Sequence, residues 1–199
     1  MELIFFIKST TVDIDNYTIK DIPSSSGRLD VISRCILSAL INDDALEKNI
    51  QIHVFLDNYG TFIFDSNLFN NEYFPKNEIL LTDFFVDLIK KTKKQEKNFE
   101  TPLASVKYSE LDIISAIKNF VEKKYKIYVL NENGIDFKKV FEELSSKDNL
   151  LFILGDQSGD LVKNEELKKL NLTNLSLGNR SYLASSTIRL IKMNLQLLI

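Results

Sequence analysis

Apolar and polar positions along the chain alternate between two periods. Residues 3–8 (LIFFIK) hold five apolar residues in a row between polar flanks and predict an opening strand. Residues 9–26 are polar, run into Pro23-Ser24-Ser25-Ser26 just before Gly27, and predict a loop. Over 28–41, Leu29, Ile32, Ile36 and Leu40 recur at helical spacing, with Ser25 or Ser26 placed to cap the start. Residues 50–56 alternate strictly, with Ile50, Ile52, Val54 and Leu56 on one face. Residues 61–65 are their hairpin partner across Asn58-Tyr59-Gly60. Helical spacing returns over 78–94 and 109–124. Strands at 126–130, 150–154 and 172–177 then alternate with helices at 137–144, 165–170 and 182–197. A βαβαβα order predicts an α/β fold, a mostly parallel sheet flanked by helices. Without a repeat or a low-complexity linker, one domain over 1–199 is expected.

Composition narrows the function classes. Of 199 residues 44% are hydrophobic and 27% charged, enough apolar material for a full core. A net charge of −3 excludes a surface that grips nucleic acid everywhere, though not a local basic patch. One cysteine, Cys35, excludes an internal disulfide or a Cys-rich zinc site, and one histidine, His53, excludes a multi-His metal centre. No metal is expected. No apolar run approaches the ~18 residues of a membrane span. The first apolar run lacks a basic leader or cleavage site, so no export and a cytoplasmic location are expected.

Only six glycines occur, and Gly134, Gly155, Gly159 and Gly178 follow three of the predicted C-terminal strands. Open α/β sheets bind ligands outside the carboxyl ends of their strands, and glycine there lets backbone amides approach a ligand. Three such loops suggest one backbone-walled pocket, against ordinary turns. None is a GxGxxG or GxxxxGK[ST] phosphate cradle, which disfavours a dinucleotide or a nucleoside triphosphate.

Twenty-one of the 25 basic residues are lysine, so the four arginines, Arg28, Arg34, Arg180 and Arg189, stand out. A planar five-donor fork suits phosphate and base edges. The plain alternative is an Asp30–Arg34 pair at i,i+4. Lys90, Lys91, Lys93, Lys94 and Lys97 form a basic stretch that reads as a solvated helix end in preference to an RNA contact. His53 reads as a half-buried strand residue, Cys35 as core, and Phe84-Phe85 as core in preference to a stacking platform.

Four segments together resemble a known family. Pro23-Ser24-Ser25-Ser26-Gly27-Arg28-Leu29-Asp30 followed by Ser33-Arg34-Cys35 resembles the "LPGSCGRLD…CRC" segment of the archaeal tRNA pseudouridine N1-methyltransferases. Residues 128–134 (YVLNENG) are similar to that group's "YYLHMNG", and 152–159 (FILGDQSG) to its "FIIGDHIG". Leu175-Ser176-Leu177 before the closing helix looks like its "ISLS". Order and approximate spacing agree over nearly the whole chain, though 62–108 offers little to match.

That group belongs to the SPOUT superfamily. The resemblance implies a C-terminal trefoil knot over about 126–199, a homodimer, and S-adenosylmethionine held against the three knot loops. It makes Leu130, Gly155, Ser176, Leu177, Gly178, Asn179, Arg180, Ser181 and Thr187 the cofactor candidates. It implies an RNA partner, foremost tRNA, methylated on N1 of a pseudouridine at position 54 in the T-loop. Asp30 is the candidate to accept or orient the N1 proton, Arg28 to hold the target phosphate or base, and Arg34 to orient Asp30 or bind the backbone. The chain departs from the group where Thr187 replaces a cysteine and where Gly178-Asn179-Arg180 is closer to some ribosomal RNA methyltransferases. A ribosomal RNA methyltransferase and a non-catalytic RNA-binding assembly factor of the same fold stay open.

Overall fold

The computed structural model describes residues 1–96, 100–155, 161, 164–178 and 180–196. Its frame is a seven-stranded sheet in the order β6-β5-β4-β1-β8-β7-β9. In chain order the strands are β1 (Leu3–Ser9), the short hairpin β2 (Ile41–Asn42) and β3 (Ala45–Leu46), β4 (Ile50–Leu56), β5 (Gly60–Asp65), β6 (Lys107–Ser109), β7 (Lys126–Asp136), β8 (Leu150–Leu154) and β9 (Thr173–Ser176). β1 pairs in parallel with β4 and β8, and β7 in parallel with β8 and β9; β5 and β6 add antiparallel edges. The expected mixed α/β architecture with a mostly parallel sheet is therefore present.

Helices cover both faces, which is why the central strands read as unbroken apolar runs. Among the described residues the helices are α1 (Ile22–Ser25), α2 (Leu29–Leu40), α3 (Glu78–Lys93), α4 (Ile113–Glu122), α5 (Phe137–Phe141), α6 (Glu165–Lys169) and α7 (Ala184–Leu195). Leu3, Phe5 and Ile7 of β1 face one core with Leu29 and Ile36 of α2, Phe85 of α3 and Ile188 of α7. Ile4 and Phe6 face the other, with Ile117 and Phe120 of α4 and Leu167 of α6. Each fully buried side chain of this size stabilises by about 1.5–3 kcal/mol.

Differences from the sequence reading are local. β6 ends on Ser109, the first residue that periodicity assigns to the helix at 109–124; that helix starts later, with Asp112 capping α4 and accepting from the amides of Ile114 and Ser115 at 2.9 and 3.0 Å. The predicted loop at 9–26 contains a 3-10 turn (Ile19–Asp21) and α1, where Pro23 sits in the first helical turn that tolerates it. β7 runs past its predicted end: after Leu130 pairs with Leu175, the chain leaves and returns so that Ile135 pairs with Leu175 again. Cys35 is fully buried and its thiol is pushed up to about 12 by burial, so it is inert core. His53 is buried rather than half-buried, stacked on Phe6 at 4.8 Å, and burial lowers it to about 3, so it stays neutral. Phe85 is fully buried and Phe84 packs against the same core.

Candidate active site

The carboxyl ends of β1, β7, β8 and β9, with the start of α2 and the chain entering α7, enclose a cavity of about 770 Å³. Ligands gather at this edge of an open α/β sheet because loops there diverge and leave backbone groups unpaired.

One wall is the turn into α2. Gly27 and Arg28 take φ of +56° and +71°, two left-handed residues in succession. A side chain on Gly27 would place its Cβ 1.8 Å from the Thr11 carbonyl oxygen, so only glycine fits. Thr11 Oγ1 donates to the Gly27 carbonyl at 2.9 Å and the Asp13 amide donates to the Ser26 carbonyl at 3.3 Å, clamping the turn from both sides. Ser26, buried, accepts from the Leu29 amide at 3.1 Å, which makes it the serine that serves the helix start. Arg28 thus holds a conformation that costs a non-glycine residue about 1–3 kcal/mol, a kind of strain concentrated at functional sites.

Arg28 folds onto Asp30 with Nε on Oδ1 at 3.0 Å and Nη2 on Oδ2 at 3.1 Å. Arg34 Nη2 reaches Oδ2 at 2.9 Å, and its Nε lies 3.2 Å from Glu78 Oε2. The Asp30 side chain is 5% exposed, against 48% for Arg28 and 35% for Arg34. Burial raises the Asp30 carboxyl, but hydrogen bonds and charge from Arg28 and Arg34 outweigh it and hold the group below its ordinary range. Both arginines line the cavity and Asp30 lies behind them.

The opposite wall is apolar and backbone-rich. Leu130, Leu154, Leu175, Leu177 and Ala184 line it. Ser176 Oγ accepts from the Gly178 amide at 3.2 Å, shaping the turn after β9. Gly178 takes φ +108°, and a Cβ there would meet nothing within 4 Å, so the chain turns beside open space.

Of the sequence-derived candidates, Leu130, Gly155, Ser176, Leu177, Gly178, Arg180, Ser181 and Thr187 all line this cavity together with Arg28 and Arg34. Asn179 and Gly159 lie outside the described residues. Gly134 is elsewhere, pressed on β9: a Cβ would fall 2.5 Å from the Leu175 amide nitrogen. Arg189 is engaged with Ser38 at 3.2 Å, joining α7 to α2. The sequence reading missed Lys8, Thr10, Thr11 and Glu132 on the wall. Lys8 sits at the carboxyl end of β1 and Thr10 and Thr11 follow it, and the rule about strand ends applied to β1 as well as to the later strands would have found them. Among the described lining residues four are cationic, Lys8, Arg28, Arg34 and Arg180, and Glu132 alone is acidic. Among the described residues there is no His/Cys/Asp/Glu cluster able to hold a metal and no helix long and apolar enough to cross a membrane.

The family model described as "Putative SAM-dependent RNA methyltransferase" matches residues 1–198. The chain belongs to that family. Curated relatives include the tRNA (pseudouridine(54)-N(1))-methyltransferase of Pyrococcus abyssi, 26% identical over 202 residues that cover 96% of each chain. The enzyme of the same name from Methanococcoides burtonii is 29% identical over 167 residues, 79% of each chain. Among solved structures, Nep1 of Archaeoglobus fulgidus, bound to S-adenosylhomocysteine, superposes with a TM-score of 0.63 at 13% identity, covering 100% of this chain and 99% of that one. For a member of this family the cavity fits the cofactor. It offers leucine side chains for a flat ring, turn backbone at Gly155 and Gly178 for its edge, and a carboxylate, Glu132, for the cationic end.

Proposed function

We propose that the protein transfers a methyl group from S-adenosylmethionine to N1 of the pseudouridine at position 54 of tRNA. One observation carries this reading. The cavity that joins the ends of β7, β8 and β9 also takes in Arg28 and Arg34, so cofactor chemistry and an anion-recognising arginine pair share one enclosure. Names of the curated relatives supply the nucleotide. Leu130, Gly155, Ser176 to Arg180, Ser181 and Thr187 hold the cofactor, which when bound supplies an activated methyl group.

The chain's own residues position the nucleotide and handle its proton. Arg28, the more exposed arginine, leaves Asp30 for the substrate phosphate, which frees Oδ1. Arg34 stays on Oδ2 and keeps the carboxylate oriented. Oδ1 then takes the hydrogen bond of N1–H. The proton it receives as N1 is methylated passes on to water.

We assign the whole of 1–199 to one domain acting as a homodimer in the cytoplasm, with its C-terminal part threaded as a trefoil knot. The double return of β7 to Leu175, with Gly134 closed against the backbone of β9, supports the threading. The deciding experiment incubates the protein and labelled cofactor with tRNA that carries or lacks pseudouridine and, in parallel, with ribosomal RNA, then maps the methyl group by mass spectrometry. Methylation confined to pseudouridine-containing tRNA is expected. Label found only in ribosomal RNA, or none in any RNA, overturns the reading.

A further inference from the structure

Beside the cavity, the C-terminal end of α3 carries a ridge of lysines. A merely solvated helix end has no fixed partners, yet two of these lysines do. Lys90 Nζ lies 5.8 Å from the centre of the Tyr17 ring and Lys93 Nζ 5.6 Å from that of Tyr59. Both rings are themselves held. Tyr17 Oη donates to Asp83 at 3.1 Å, and Tyr59 Oη accepts from the Ile14 amide at 3.2 Å. Ring faces attract ammonium groups, so each exposed lysine is drawn over its tyrosine. Nearby carboxylates are engaged: Asp83 with Tyr17, and Asp87 with Lys91 at 2.6 Å.

The ridge is tied to the cavity by one stretch of chain. Thr10 and Thr11 line the cavity, and Thr11 grips the Gly27–Arg28 turn. A few residues on, Ile14 and Tyr17 meet the tyrosine and lysine groups. Fixed cations beside aromatic rings, next to an arginine-lined pocket, suit a polyanion that continues past the pocket.

We infer that Lys90 and Lys93, seated on Tyr17 and Tyr59, contact the phosphate backbone of the substrate RNA flanking the nucleotide in the cavity. The inference rests on the RNA reading of that cavity. Such contacts set register and affinity without reading sequence.

The test measures tRNA affinity from 50 to 300 mM salt for wild type, for Lys90→Gln/Lys93→Gln, and for Lys168→Gln/Lys169→Gln on α6, which covers the other face of the sheet. Removing two phosphate contacts lowers the slope of log affinity against log salt by about 1.4 to 1.8 and weakens binding about tenfold at 0.1 M salt. S-adenosylhomocysteine affinity and kcat at saturating RNA stay at wild-type values in the α3 variant, while KM for RNA rises. The α6 variant keeps the wild-type slope. If the α3 variant keeps that slope, or both variants lose equally, the ridge is not a backbone contact. If wild type itself shows no salt-dependent tRNA affinity, the RNA reading falls and the ridge falls with it.

Discussion

Asp30 and its two arginines divide the work by exposure. A carboxylate 5% exposed and gripped by two forks is a poor sponge for protons at neutral pH but a firm hydrogen-bond acceptor. Asp30→Asn keeps the shape and removes the charge. Methyl transfer should fall by about two orders of magnitude or more, with S-adenosylmethionine affinity by calorimetry nearly unchanged. The same variant carries a pH signature. The folded group is held below its ordinary value, so its stabilisation is present above the unfolded carboxylate pKa of about 4 and is lost as pH falls through the lower folded value. Urea titrations should find wild type about 1–2 kcal/mol more stable than Asp30→Asn at pH 7, a gap that closes in stronger acid. Gly27 sits one residue before the strained arginine and has no such latitude. Gly27→Ala drives a Cβ into the Thr11 carbonyl and should lower unfolding free energy by about 2–3 kcal/mol, read from the shift in urea midpoint.

At the scale of elements, two glycines at the carboxyl edge make opposite demands. Gly134 lies against the backbone of Asn174 and Leu175, where a Cβ would come within 2.5–2.7 Å of three backbone atoms. Gly178 has open space around it and only its φ of +108° to protect. Gly134→Ala must therefore push β7 off β9 and move Leu130 and Leu175, both on the cavity wall; S-adenosylhomocysteine affinity should drop more than tenfold. Gly178→Ala should lose less, since backbone strain of about 1–3 kcal/mol is spread over a turn with room to adjust. Calorimetry on the two variants checks the order. Elements with a strong period were legible from the chain: β1, β4, β8, α2 and α3 lie within a residue or two of their predicted bounds, because burial on one or both faces imposes the pattern. Elements without one were not. β2, β3 and β6 are two or three residues long, and β6 gains its place from pairing Tyr108 with Phe62, a tertiary fact invisible in local periodicity.

For the whole molecule, the site was legible in part because its residues cluster at turns with unusual composition. Glycines after strands and rare arginines marked Gly155, Gly178, Arg28 and Arg34. Thr11 and Glu132 carry no such mark of composition, and beyond their place after a predicted strand it is the fold that brings them to the wall. The same holds for Lys192, an ordinary lysine in the sequence and a keystone in the structure. It is 6% exposed, and its ammonium donates to the carbonyls of Ser38, Ala39 and Ile41 at 3.1, 2.7 and 3.1 Å while pairing with Glu47 at 2.9 Å. Those carbonyls end α2, where a cation completes the helix electrically and satisfies the last unpaired acceptors. Lys192 thereby locks α7 onto α2, the helix that begins with Arg28. Both ends of the cavity wall then depend on one buried charge, for α7 starts at Ala184 beside Leu177. Lys192→Met preserves stem volume but strands three carbonyls and a half-buried Glu47. It should cost about 3 kcal/mol of folding stability, since removing one member of a buried pair leaves the other uncompensated. Cofactor affinity should fall as well, because the α7 start is no longer held. Lys192→Met with Glu47→Gln removes the uncompensated carboxylate and should recover part of the stability. A Lys192→Met protein with wild-type unfolding midpoint and wild-type cofactor affinity would show instead that α7 is held by its apolar face alone, through Ile188, Ile191 and Leu195.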